Sequence, residues 1–308
     1  MATKCYPILR GRRIRLTRLD GCGRPVYGPD SVVVSKGFVS VALTANIDEG
    51  EAITVTNAGG ENCINEPAVP RLSGYGVAIT FCNVEPDALS ITTGQKQYNN
   101  YAGDAVGFSV DTSISLADTA FALEMWLGAP SDNCAVGATG SYGYVLLPFV
   151  QGGVLGDFTV ENAAINLAIS NAATKTGGAW GAGPFNVMLN GSSVASPLPR
   201  ALTSTEPFLL AQTTVAPPTE YCGAKPLLDP AGAALTSITA TPSAGKNVSV
   251  SPTPTGAGVP WYVEFGDGTW QYVANGGAAT HTYATMGTYT VTGYRGTTSK
   301  TASVTTIA

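Results

Sequence analysis

Apolar and polar residues alternate with a period of two along most of this chain, and that period predicts strands. Phe38 to Ala45 alternates, Asp48-Glu-Gly50 makes a turn, and Ala52-Ile-Thr-Val-Thr56 resumes the pattern. Asn57-Ala-Gly-Gly60 reads as a second turn and Gly76 to Cys82 as a further strand. Later runs at 105–110, 121–127, 142–150, 185–189 and 208–211 are each bounded by Gly, Pro or Asn. One segment reads two ways. Val160 to Ser170 fits a helix capped by Thr159 with Glu161 in its first turn, yet Ile165, Leu167 and Ile169 alternate. A short turn followed by a strand is the preferred reading, with a single helix here or elsewhere as the second.

Length and composition sharpen this β picture. A chain of 308 residues suggests two domains. Charged residues make up 12%, against about 25% in ordinary soluble domains. The longest apolar core, Val145 to Val150, falls far short of the ~20 residues that span a bilayer. Gly, Ser and Thr take the place of charge. Such a surface suits a protein covered by neighbouring copies, or an extracellular Thr/Ser-rich β protein that does not assemble. Met1 to Arg10 runs into charged residues without an apolar stretch, so export by the usual route is not expected.

The six cysteines (Cys5, Cys22, Cys63, Cys82, Cys134, Cys222) include no C-x-x-C pair, which argues against structural zinc. Buried free thiols are the expectation for most of them, with Cys22, Cys63 and Cys82 the ones to meet in space. Asn190-Gly-Ser and Asn247-Val-Ser match the glycosylation pattern but carry no weight without export.

Charge is distributed unevenly. Residues 1–24 hold Lys4, Arg10, Arg12, Arg13, Arg15, Arg18 and Arg24 against Asp20 alone. Residues 25–229 hold eighteen acids and six bases. A basic arm on an acidic body reads as a nucleic-acid tail, as a docking strand for an acidic neighbour, or as a strand with a charged outer face. Arg13 and Arg15 alternate with Ile14 and Leu16, as the last reading requires. Trp180 sits among Gly177, Gly178, Gly181 and Gly183 ahead of Pro184-Phe185. It is either an anchor between subunits or an internal core residue.

Val215-Ala-Pro-Pro-Thr-Glu-Tyr221, extended by Pro226 and Pro230, holds no regular element. The expected organisation is therefore a domain over 1–212, a linker over 213–234 and a domain over 235–308. Beyond the linker, Trp261-Tyr-Val-Glu-Phe-Gly-Asp-Gly268 is followed by His281-Thr-Tyr-Ala-Thr-Met-Gly-Thr-Tyr-Thr-Val291. This pattern resembles the PKD domain, a small immunoglobulin-like β-sandwich found as a spacer or adhesive module outside cells. Its motif residues here are Trp261, Phe265, Gly266, Asp267, Gly268, His281, Tyr283, Gly287 and Tyr289, all with structural roles. Gly266 and Gly268 suit a tight turn around Asp267, and Tyr262 and Tyr289 are expected to fill the space between two sheets.

Four pieces of the first domain, in this order, resemble the major tail proteins of long, non-contractile-tailed phages of actinobacteria. They are Arg12 to Gly23; Lys36 to Val41 with Gly59 to Cys63; Phe81 to Leu89; and Thr174 to Val187. The resemblance implies a tail-tube β-sandwich whose strands join those of neighbours into a hexameric β-barrel ring. Rings would stack into a conduit for genome delivery, with the PKD-like domain facing outward. It also implies a place in the virion after assembly in the host cytoplasm. The implied partners are further copies, the tape measure, terminator and distal tail proteins, DNA sliding through, and a host surface for the PKD-like domain. Arg12, Arg13, Arg15, Arg18 and Trp180 are the candidate contacts between subunits, with acidic side chains facing the channel, where they would repel DNA phosphates.

Catalytic chemistry is not legible. The single histidine, His281, lies in the PKD pattern, so the first domain has no Ser-His-Asp or Cys-His set. No phosphate-cradling loop ends in Lys-Ser/Thr. Asp48/Glu49 and Glu85/Asp87 read as solvated turn charges. No cofactor, metal or enzyme activity is expected. The alternatives to a tail protein are an adhesin or surface-layer protein with a PKD module, and a secreted hydrolase carrying a PKD spacer.

Overall fold

The computed structural model describes residues 10–82, 85–101, 105–128, 142–158, 166–254 and 259–307. Two compact units divide the chain. One runs as far as Ala224 apart from Tyr27–Ser31, and the other takes Tyr27–Ser31 and everything from Lys225.

In the first unit the strands are β1 (Gly11–Leu19), β2 (Gly28–Ser35), β3 (Phe38–Asp48), β4 (Ile53–Thr56), β5 (Asn62–Glu66) and β6 (Arg71–Phe81). The helix α1 (Pro86–Thr93) follows, then β7 (Lys96–Asn99), β8 (Ala105–Ser109), β9 (Ala120–Gly128) and β10 (Tyr142–Gln151). After them come β11 (Val154–Leu155), β12 (Leu167–Thr174), β13 (Met188–Leu189), β14 (Ala195–Ser196) and β15 (Leu209–Thr213). The main sheet is antiparallel in the order β2-β1-β9-β10-β12-β6-β3. β15 lies beside one end of β10, and β11 beside β12.

β2 and β3 stand at opposite ends of this path, yet only Lys36 and Gly37 join them. A sheet so connected must curl strongly. Phe38 of β3 accordingly lies against Gly11 of β1, where a side-chain carbon would come within 2.7 Å of its ring.

β9 and β10 explain why the centre is so apolar. Their runs AFALEMWLG and YGYVLLPFVQ are buried almost throughout, because both faces are covered. One face joins Ile14, Leu16, Phe121, Leu123, Val145 and Leu147 to Leu89 and Ile91 of α1. The other joins Trp126, Tyr144, Leu146 and Phe149 to Trp180, Val187 and Leu198 from the loops after β12.

Several expectations change here. The helix lies at Pro86–Thr93, and Leu167–Thr174 is a strand; Thr159 and Glu161 fall outside the described residues. The strand expected over 185–189 shortens to Met188–Leu189 because Phe185 is drawn into packing with Trp180. Glu85 and Asp87 are not solvated turn charges: Asp87 is 9% exposed, and burial drives the Glu85 carboxyl up to about 7. Asp87 adds to that rise, while Ser35 and the Gly223 backbone oppose it. Cys22, Cys63, Cys82 and Cys222 are free and exposed rather than buried; Cys5 and Cys134 fall outside the described residues.

The stretch from Val215 to Tyr221 is irregular but tied down, whereas Lys225–Leu227, expected to be irregular with it, is a short strand, because an edge position tolerates Pro226. Thr213 Oγ1 donates to the Val187 carbonyl at 2.6 Å, Tyr221 Oη donates to the Val32 carbonyl at 3.1 Å, and Glu220 accepts from Lys36 at 2.7 Å.

The second unit includes β16 (Lys225–Leu227). Then come β17 (Ser237–Ser243), β18 (Asn247–Thr253), β19 (Trp261–Glu264), β20 (Trp270–Val273), β21 (Ala279–Thr282), β22 (Thr288–Arg295) and β23 (Thr298–Thr305). A three-stranded sheet, β17-β18-β21, faces a four-stranded one, β20-β19-β22-β23. Trp261, Val263, Phe265, Val248, Val250, Tyr283 and Val291 fill the space between them. Tyr262 does not. With Trp261 and Val263 pointing inward, alternation sends Tyr262 to the outer face, against the expectation.

Candidate functional site

β1 carries Arg12, Arg13, Arg15 and Arg18, the arginines expected at contacts between subunits. Ile14 and Leu16 take one face of this strand, which leaves Arg13, Arg15 and Thr17 on the other. Arg15 stands directly across from Glu124 of β9. Its Nε and terminal nitrogen donate to the two carboxylate oxygens at 2.5 and 2.6 Å, and Tyr144 Oη adds a third bond at 2.6 Å. The guanidinium lies 3.4 Å from the centre of the Phe185 ring and 5.0 Å from that of Trp126. Arg15 is 7% exposed and Glu124 0%. A bidentate pair with a third donor satisfies a charge that burial would otherwise make costly. Burial, then the Glu124 charge, push the Tyr144 phenol well above its ordinary value.

The other arginines differ. Arg13 is half-buried and bound to Glu220, Arg18 reaches Ser90 Oγ at 3.5 Å, and Arg12 is exposed beside Gly128. Arg15 is thus enclosed by its own chain and not displayed to a neighbour. Trp180 is enclosed too, at 5% exposure and 6.4 Å from Phe185. Gly183, at φ +83°, lies against its indole, where any side-chain carbon would come within 2.7 Å. Glu124 escaped the sequence reading, although a lone acid inside the run AFALEMWLG is the signal of a buried partner.

The most exposed part of the first unit is a β arm. From Thr44 to Ser73 every residue but Ala68 is exposed. The outer halves of β3 and β6 form its stem, and the β4–β5 hairpin lies between them in the chain. Apolar side chains face each other across these ladders, Ile47 opposite Leu72 and Val55 opposite Ile64. Ile47, Ile53, Val55, Ile64, Val69 and Leu72 are 46–64% exposed. The same stretch bears Asp48, Glu49, Glu51, Glu61 and Glu66 against Arg71.

In the second unit the motif residues converge on one turn. Asp267 Oδ1 accepts from the Thr269 backbone at 3.1 Å and from its hydroxyl at 2.6 Å, while Oδ2 meets His281 Nε2 at 2.7 Å. His281 stacks on Phe265 at 4.4 Å and meets Tyr283 edge-on at 4.7 Å; Tyr283 stacks on Tyr289 at 3.9 Å. Tyr283 Oη donates to the Phe265 carbonyl and Trp261 Nε1 to that of Gly277, both at 2.9 Å. Gly266, at φ +85°, leaves no room for a side chain, since a Cβ would lie 2.5 Å from the Thr290 carbonyl. Gly268 (φ +93°) lies on the far side of Asp267, and the Gly287 backbone binds Thr306. Burial tends to raise the Asp267 carboxyl, but the bonds from Thr269 and His281 outweigh it and hold the carboxyl below its usual value. Among the described residues no three His, Cys, Asp or Glu side chains gather as a metal ion would need.

Residues 224–305 match the family model of the PKD domain. No curated protein matches the chain. The C-terminal region is therefore a PKD-type β-sandwich on a mainly β protein.

Proposed function

We propose that the chain is a structural virion protein, the subunit of a phage tail tube. Copies associate as hexameric rings that stack into a conduit for genome delivery, and the PKD-type domain projects outward. The exposed arm carries this reading. Paired apolar side chains held out in solvent on a long hairpin are a liability in a free monomer and an asset against a neighbour. The arm is acidic, and Arg10 and Arg24 are exposed near β1. Complementary charge makes another copy of this chain its natural partner. The resemblance of the first domain to major tail proteins supports the same conclusion, with the tape measure, terminator and distal tail proteins as further partners. An acidic lining would let DNA slide without adhering.

Electron microscopy of the concentrated full chain tests the reading. Rings or hollow tubes are expected, and replacing residues 51–68 by a short Asn-Gly turn should abolish them while leaving the fold intact. Monodisperse particles, alone or with a tail initiator complex, would refute it.

A further inference from the structure

The outer face of the four-stranded sheet in the PKD-type domain carries a cross-strand row of aromatic rings that its own core does not use. Tyr262 stands opposite Tyr272 on one side and Tyr294 on the other. In the next row Glu264 stands opposite Trp270 and Thr292. Register continues the face to Ser299, opposite Tyr294, and Thr301, opposite Thr292. The Tyr262 and Tyr294 rings are parallel, 4.5 Å apart with 9° between planes, and Tyr294 Oη donates to Glu264 at 3.0 Å. All four aromatic residues are only partly buried. Lys225 forms an ion pair with Glu264 and lies 5.3 Å from the centre of the Trp270 ring.

We propose that this face binds a neutral polysaccharide. A pyranose ring offers a face of C–H groups and a rim of hydroxyls. The C–H face complements the electron-rich face of a Tyr or Trp ring, which supplies contact area at little entropic cost. The rim complements Glu264, Thr292, Ser299 and Thr301, the few polar groups that fix orientation in a mostly apolar site. Neutrality follows from the charges. Single-stranded nucleic acid also stacks on aromatic rings, but it needs a positive groove along its backbone. Here Lys225 and Glu264 cancel each other. The proposal does not depend on how the first unit assembles.

Native gels cast with soluble neutral polysaccharides (a β-glucan, a galactomannan, an arabinogalactan and soluble starch) test it on the full chain, with oligo(dT) as the anionic stacking ligand. At least one neutral polysaccharide should retard the chain. Tyr262→Ala and Trp270→Ala should each weaken that retardation about tenfold, equivalent to about 1.4 kcal/mol. Tyr272→Ala, on the edge strand β20, supplies a second variant if the first two melt early. Absence of retardation by all four polysaccharides overturns the proposal. So does retardation that survives loss of the rings in folded variants, or retardation by oligo(dT) alone.

Discussion

Replacing Arg15 by Met removes the guanidinium and keeps most of the apolar volume. What remains is the Glu124 carboxylate, 0% exposed, with Tyr144 Oη as its partner. Breaking a buried pair from one side costs about 3–5 kcal/mol. Losing the stack on Phe185, 3.4 Å from the guanidinium carbon, adds about 0.5–2 kcal/mol. A loss of about 3.5–7 kcal/mol would consume much of a domain stability of about 5–15 kcal/mol. Native-state hydrogen exchange reads this directly, because β9 and β10 amides open with the first unit, while β19 and β22 amides provide an internal reference in the second. Protection of β9 and β10 should fall by roughly three to five powers of ten, with the reference unchanged. Pairing the change with Glu124→Leu should restore most of the loss, since a well-packed apolar pair can match a buried ion pair. Arg24→Glu, at an exposed position, should shift protection by less than about 0.5 kcal/mol. A fall of under tenfold in Arg15→Met, or a double variant as weak as the two single losses combined, would refute the account of Arg15 as an internal clamp.

Asp267→Ala should lower the stability of the PKD-type domain by about 0.5–2 kcal/mol at neutral pH, the range for a lost cap-type hydrogen bond. Since folding holds this carboxyl below its ordinary 3.8, its contribution is present above that value and disappears as pH falls through the folded one; an equal penalty in strong acid, measured by thermal unfolding, would contradict this. Glu85 has the opposite sign. The folded chain keeps a proton up to about pH 7 that an unfolded carboxyl loses near 4.5, so stability of the first unit should decline as pH rises between those values and level off above. Glu85→Gln should flatten that slope in urea titrations, and an unchanged slope would assign it elsewhere. Arg10→Glu with Arg24→Glu should slow assembly seen by light scattering without altering the melting of the subunit; normal assembly would remove the arm's charge complement.

Local pattern was sufficient for much of the fold. Alternation from Phe38 marked β3, the Asn57–Gly60 turn closed the β4–β5 hairpin, and the Ile165–Ile169 alternation pointed to the strand β12. The PKD-type turn was legible because its glycines and Asp267 act within a few residues of each other. The helix was not, since Pro86–Thr93 is too short to show a helical period, and its acids resembled turn charges until packing buried them. Strands and turns of the arm are legible in the sequence but its exposure is not, because alternation records two faces without recording whether anything covers them.

That limit divides what the sequence alone determined from what tertiary structure decided. Residue order settled a mainly β chain, the turns between strands and the C-terminal sandwich, all governed by contacts between near neighbours. Which face of each strand is covered depended on partners far along the chain. Arg15 became internal because Glu124 arrives from 109 residues away, Trp180 because the β9–β10 face needed a lid, and Tyr262 external because Trp261 and Val263 took the inner positions. Strand alternation leaves such choices open, and only the closing of the sheets over one another makes them.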